Sequence, residues 1–122
     1  MSTILVMEDD EKNFFLIKTI LQSETCEVLH ATNGEDGIQM AKAHHPDVII
    51  IDMRMPKLTG WDIISLLKTH DDTRAIPVIA MSAITEPNVQ QRSIDAGFEL
   101  FIPKPFTVQQ LRSTIRQFNP DC

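Results

Sequence analysis

Basic residues are scarce in this sequence. Lysine and arginine number 11 against 17 aspartates and glutamates, which leaves a formal charge of −6. A surface that acidic repels phosphate backbones and anionic headgroups, so nucleic acid and membrane are poor candidates as partners. Cysteine is nearly absent. Cys26 and Cys122 are too few and too ill-matched for a disulfide framework, which points to a reducing compartment and a cytoplasmic protein. Long apolar runs are missing as well. The amino terminus offers only Ile4 to Met7 before the acids begin, too short for a signal sequence or a membrane span. No low-complexity stretch, repeat or Pro/Gly-rich linker divides the chain. What remains is 122 residues, 43% of them apolar and 23% charged. That is ordinary globular composition and the length of one domain, residues 1–122, able to bury a core without staples.

Short apolar runs alternate with helical patterns along the whole chain. The runs are Thr3–Met7, Val28–Ala31, Val48–Ile51, Val78–Met81 and Leu100–Ile102, the second and last of them weak. Val48-Ile49-Ile50-Ile51 is a near-continuous β-branched run, which suits a parallel strand buried on both faces. Helices are expected over 11–23, 35–44, 60–69, 87–96 and 107–118. The last has Val108, Leu111, Ile115 and Phe118 at helical spacing, with Thr107 and Gln110 in the form of a capping box. The fourth shows only a narrow stripe of Val89, Ser93 and Ala96, and should be loosely held. Five β units alternating with five α units predict a three-layer, doubly wound α/β domain around a parallel sheet. Such sheets bind ligands beyond the carboxyl ends of their strands.

The residues at those ends carry chemistry. The first run closes in Glu8-Asp9-Asp10, the third in Asp52, the fourth in Met81-Ser82-Ala83, and the fifth is followed by Pro103-Lys104-Pro105-Phe106. Asp52 and Ser82 lie 30 residues apart and Ser82 and Lys104 lie 22 apart, each the length of one βα step. A parallel sheet therefore gathers three or four carboxylates, a hydroxyl and an ammonium at one edge. Carboxylates that close repel, and one takes up a proton unless a cation sits among them. An all-oxygen donor set selects a hard ion, and Mg²⁺ fits best because it accepts a few carboxylates and keeps its waters. Metal, Lys and hydroxyl aimed at one spot suit a phosphoryl group, with a carboxylate as the nucleophile.

At this point the chain resembles the receiver domains of two-component response regulators over essentially its whole length. The matching text is Ile4-Leu5-Val6-Met7-Glu8-Asp9-Asp10, then Asp47-Val48-Ile49-Ile50-Ile51-Asp52-Met53-Arg54-Met55-Pro56 and Gly60. It continues with Pro77-Val78-Ile79-Ala80-Met81-Ser82-Ala83, Ala96-Gly97 and Lys104-Pro105-Phe106. The resemblance implies a flavodoxin-like sheet of order 2-1-3-4-5 and a division of labour. Asp52 would accept a phosphoryl group from a phosphohistidine of a histidine kinase or histidine phosphotransfer protein. Asp9, Asp52 and the main-chain carbonyl of Arg54 would contact Mg²⁺, or Mn²⁺ in its place, and Glu8 would act through a bound water. Lys104 would pair with the phosphoryl oxygens, ahead of a cis bond to Pro105. Ser82 would hydrogen-bond the phosphoryl group, and Phe101 would turn inward as Ser82 moves. Arg54 and Ile84 would flank the phosphoryl group, and a long cation with an apolar neighbour suggests a long-lived phosphorylated state.

The same resemblance implies a stand-alone switch in a phosphorelay, monomeric or weakly dimeric, that signals to a downstream protein target. It would catalyse its own phosphorylation and dephosphorylation without being an enzyme. Output would run through the surface of helix four, strand five and helix five, since Ser82 leads into the least anchored helix. A receiver cut from a hybrid kinase would read the same way. A phosphorylation-independent interaction module would be expected to lack one of the acids or the Lys. A haloacid-dehalogenase-type phosphatase would want a second acid where Arg54 stands, and a flavin carrier would need a phosphate loop where the chain is acidic. Asp10 is expected to be the N-cap of the first helix, Trp61 to pack at the start of the third, and His44-His45 to be a solvated helix end. His30, His70 and Cys26 show no role.

Overall fold

The structure, a computed structural model, describes residues 2–83 and 88–122. Five strands and five helices alternate: β1 (Ser2–Met7), α1 (Glu11–Leu21), β2 (Cys26–Ala31), α2 (Gly34–His44), β3 (Val48–Asp52), α3 (Gly60–Thr69), β4 (Val78–Ala83), α4 (Val89–Ala96), β5 (Leu100–Lys104) and α5 (Val108–Arg116). The strands form one parallel sheet in the order β2-β1-β3-β4-β5, a doubly wound, flavodoxin-like arrangement. Ile84 and the expected first residue of helix four lie outside the described residues.

Side chains on successive strand residues point to opposite faces, and the central strands divide the core accordingly. Leu5 and Met7 of β1, Ile49 and Ile51 of β3, and Val78 and Ala80 of β4 pack on one face with Ile38, Ala41, Ile63, Ile64, Leu67 and Val89 of α2, α3 and α4. Ile4, Val6, Val48, Ile50, Ile79 and Met81 face the other way, onto Ile17, Ile20 and Leu21 of α1 and Leu111 and Ile115 of α5. Each helix begins beyond the carboxyl edge of the sheet, so its capping residues crowd that edge. Asp10 caps α1 by accepting from the Lys12 and Asn13 amides, and Thr59 and Thr107 close capping boxes with Asp62 and Gln110.

Three expectations need correction. Cys26 and Cys122 are joined in a disulfide across 96 residues. Counting and spacing cysteines says nothing about a pair that only the tertiary fold brings together, here because the chain after α5 turns back to the start of β2. In α4 the inward positions are Val89 and Ser93, while Ala96 is exposed and Phe98, beyond the Gly97 turn, is buried in the core. In α5 Val108 is 47% exposed, so the helix is anchored by Leu111 and Ile115, with Phe118 half-buried beyond its end.

Candidate functional site

Glu8, Asp9 and Asp52 meet where β1 and β3, neighbours in the sheet, end together. β1 stops at Met7, but the Glu8 amide still pairs with the Ala31 carbonyl oxygen at 3.0 Å, as if the strand continued. That last strand-like step buries the Glu8 side chain completely, while Asp9 is exposed. Asp52 is the final residue of β3, buried between strands on both sides. One carboxylate oxygen from each of the three acids lies within 4.8 Å of the others. From β5, the Lys104 ammonium reaches Asp52 Oδ2 at 3.2 Å and Glu8 Oε1 at 3.5 Å. The Lys104–Pro105 bond is cis.

The backbone holds the acids from the other side. The Arg54 amide donates to Asp52 Oδ1 at 3.0 Å, which brings its peptide to the site. The turn that carries Arg54 is folded tightly against α3, since the Gly60 amide donates to the Met53 carbonyl oxygen at 3.2 Å. A Cβ on Gly60 would come within 2.9 Å of the Met53 Cα, and backbone at that distance cannot step aside cheaply.

Burial and mutual repulsion divide the protons. Glu8 has its carboxyl pushed up to about 8, first by desolvation and then by sharing a hydrogen bond with Asp52 and facing its charge. Burial pushes Asp52 upward too. The hydrogen bonds from Glu8 and the Arg54 amide, with the Lys104 charge, outweigh that and hold it below the ordinary carboxylate value. The pair thus keeps one proton, on Glu8. Glu8 Oε1 is buried without a hydrogen-bond partner among the described residues, 3.5 Å from the Lys104 ammonium. An orphaned buried oxygen inside a cluster of carboxylates fits a hard cation, which would displace the proton and satisfy that atom. The residues present suit a divalent ion with oxygen ligands.

Ser82 is buried at the end of β4, one strand beyond Asp52, and its hydroxyl donates to the Ala83 carbonyl oxygen at 3.3 Å. Phe101 is buried, as part of the core between the sheet and α2–α4. Trp61 packs at the start of α3 as expected, edge-on to Phe98 at 6.4 Å, with the Arg92 guanidinium of α4 over its ring at 5.0 Å. His45 sits exposed at the carboxyl end of α2 in the left-handed region, a helix cap.

His30 was missed by sequence reasoning. Its Nε2 lies 2.7 Å from the Glu8 carbonyl oxygen, and because a carbonyl only accepts, the ring nitrogen donates. The ring stacks on Phe14 of α1, centroids 3.7 Å apart and planes within 4°. β2 ends at Ala31, too soon to supply an amide for that carbonyl, and the imidazole takes the amide's place. Asking of β2 what stands at its end, as was asked of the other strands, would have flagged it.

Comparison with known proteins agrees with this geometry. Residues 4–116 match the family described as the response regulator receiver domain. The chain is 30% identical over 120 residues to the polar-differentiation response regulator DivK of Brucella anthropi, an alignment that covers 98% of each. The chemotaxis protein CheY4 of Vibrio cholerae has the same fold, with a TM-score of 0.88 at 24% identity over 97% of this chain and 98% of that one. The receiver domain of a sensor histidine kinase from Pseudomonas aeruginosa, solved with a magnesium ion coordinated in its active-site cleft, gives a TM-score of 0.86. Its identity is 25%, over 96% of each chain.

Proposed function

Because this chain belongs to the response regulator receiver domain family, we propose that it is a phosphorylation-driven switch whose phosphoacceptor is Asp52. Receivers of this type interact with histidine kinases and with downstream targets. The phosphoryl group would come from a phosphohistidine on a histidine kinase or histidine phosphotransfer protein. Asp52 attacks phosphorus, a P–O bond forms, and the P–N bond to the imidazole breaks. The observation that carries this reading is the Lys104 ammonium held between the Glu8 and Asp52 carboxylates at the edge where the strands end.

Each side chain has a task in that transfer. Asp52 is held ionised, as a nucleophile must be, by the hydrogen bond from Glu8, the Arg54 amide and the ammonium. Lys104 stands ready to follow the negative charge onto the phosphoryl oxygens. Ser82 has a weakly bonded hydroxyl one strand away that can be redirected to the phosphoryl group. Mg²⁺, or Mn²⁺ in its place, would be held by Asp9, Asp52, the Arg54 carbonyl and, through water, Glu8, and when bound supplies charge that offsets the phosphoryl oxygens. The magnesium ion in the Pseudomonas receiver supports that choice of ion. The chain would speed only transfers onto and off itself, and so is a switch in place of an enzyme. Output would pass to a protein target through α4, β5 and α5, with the chain monomeric or weakly dimeric. Arg54 beside the acceptor would slow loss of the phosphoryl group. The switch would act in the cytoplasm; among the described residues no helix is long and apolar enough to cross a membrane. A receiver belonging to a larger histidine kinase is the second reading, favoured by the likeness to the Pseudomonas kinase receiver.

The test is labelling with acetyl phosphate in millimolar Mg²⁺, read by intact mass. One phosphoryl group should add to the native chain, none to Asp52→Asn, and none to the native chain in excess EDTA. Labelling that survived both changes would overturn the assignment.

A further inference from the structure

We propose that Cys26 and Cys122 are a reversible thiol–disulfide site, modified by low-molecular-weight disulfides, that fastens the segment after α5 to the amino-terminal edge of the sheet. The two sulfurs are bonded to one another. Their surroundings differ sharply. Cys26 opens β2 and is completely buried in the core beneath α1 and α5, whereas Cys122 is only half-buried.

Contacts independent of the bond bring the pair together. Phe118 packs against the same core as Cys26, and the Phe118 and Asn119 amides both donate to the Ile115 carbonyl oxygen, which carries the last turn onward. The Ser2 hydroxyl is hydrogen-bonded to Asn119 Oδ1 and lies 3.1 Å from Asp121 Oδ2. The Thr25 hydroxyl donates to the Asp121 carbonyl oxygen at 2.7 Å, and the Cys122 amide to that of Asn119 at 3.1 Å. None of these needs the disulfide. In the dithiol form they keep Cys122 beside Cys26, so closure is a local event and not the capture of a distant thiol by a long flexible loop.

The difference in burial sets the order of events. A small disulfide, RSSR, reaches the Cys122 thiolate, which attacks one sulfur to give Cys122–S–S–R and release RS⁻. The Cys26 thiolate then attacks the Cys122 sulfur, closing the protein disulfide and expelling the second RS⁻. The two protons given up by the cysteines protonate the two leaving thiolates. Two protein thiols are oxidised by two electrons and one RSSR is reduced to two RSH, so the exchange balances and runs backward in excess thiol. β2 begins beside Ser2 of β1, at the edge of the sheet opposite the acids. Oxidation therefore fixes the far end of α5 without touching the phosphoacceptor pocket, and the site stands or falls apart from the phosphoryl reading.

The experiment is equilibration of the full native chain in graded ratios of reduced and oxidised glutathione. Acid quenching, denaturation and alkylation with N-ethylmaleimide follow, read by intact mass. The expected result is a single reversible transition between two alkylated thiols and none. Cys26→Ser should accumulate one glutathione adduct on Cys122, and Cys122→Ser should stay unmodified. The oxidised chain should melt on the order of 10 °C above the reduced one, since the bond links residues 96 apart in sequence. The native-chain titration decides the matter even where a variant fails to fold. A bond that persisted in excess reduced glutathione, thiols that stayed free at every ratio, or links between chains would each overturn the proposal.

Discussion

A proton and a metal ion compete for Glu8. Its carboxyl holds a proton up to about pH 8 because it is buried and faces Asp52, and a cation entering among the three acids must expel it. Below pH 8 the affinity for Mg²⁺ should therefore climb about tenfold per pH unit, and flatten above that value. Calorimetry in two buffers of different ionisation enthalpy checks this, since about one proton should leave per ion bound at pH 7. An affinity independent of pH from 6 to 8 would mean that Glu8 is already ionised. His30 acts on the same residue from behind. Its N–H holds the Glu8 carbonyl oxygen and its ring lies on Phe14. His30→Phe keeps a ring to stack and removes the donor, whereas His30→Gln keeps a donor and removes the ring. If the hydrogen bond positions the acids, His30→Phe should weaken Mg²⁺ binding about tenfold, the usual cost of removing a support behind a ligand, and His30→Gln should restore much of it. Equal losses in both variants would assign the role to the stacking.

At the scale of elements, α4 is the piece best placed to move. Only Val89 and Ser93 face inward, its N-cap Asn88 makes no capping hydrogen bond with its side chain, and Ile94 stands 41% exposed. Trp61, the single tryptophan, touches this helix through Arg92 and the segment after it through Phe98. Its fluorescence is thus a reporter of α4 and not of the acid pocket. Addition of beryllofluoride and Mg²⁺ should change the emission, and Ser82→Ala should reduce that change by half or more. No change in the native chain would exclude α4 from the switch. Because Phe101 is already buried, the rearrangement should be carried by α4 and the chain around it more than by a rotation of that ring.

How much of this was legible depends on where each element sits. β3 lies at the centre of the sheet with every residue buried, and its unbroken β-branched run announced it. β2 and β5 are the two edge strands, one side open to solvent, and their runs were weak for that reason. Only their place in the alternating rhythm identified them. The convergence of Glu8, Asp9, Asp52 and Lys104 followed from topology alone, because a parallel sheet delivers all its carboxyl ends to one edge. That one of the clustered acids takes up a proton followed too, but its placement on Glu8, the His30 donor and the Cys26–Cys122 bond did not. Each depends on a distance of a few ångströms between residues remote in sequence, which no spacing rule encodes.

For the whole molecule, the acid pocket is a local fault that a bound cation would repair. The folded chain binds a proton at Glu8 that the unfolded chain lacks between the ordinary value of 4.5 and about 8. Through this group, stability falls as pH rises across that window and levels off above it. Asp52 works in the opposite sense. Its depressed carboxyl contributes stability that is present above the ordinary value of 3.8 and is lost as pH falls through the lowered one. In EDTA, the melting temperature should therefore decline from about pH 5 to pH 8, and Glu8→Gln, which cannot ionise, should flatten the decline. Mg²⁺ should reverse the trend, because an ion that binds only the folded chain would bind best once Glu8 has lost its proton. At ten times its dissociation constant it should add about 1.4 kcal/mol, a rise of about 4 °C, and the increment at a fixed Mg²⁺ concentration should be larger at pH 8 than at pH 6. Asp9→Ala removes one of the three acids while leaving the buried pair intact, so it should abolish most of the increment and leave the decline in EDTA. A variant that still gained the full increment would place the ion away from the Glu8, Asp9 and Asp52 cluster.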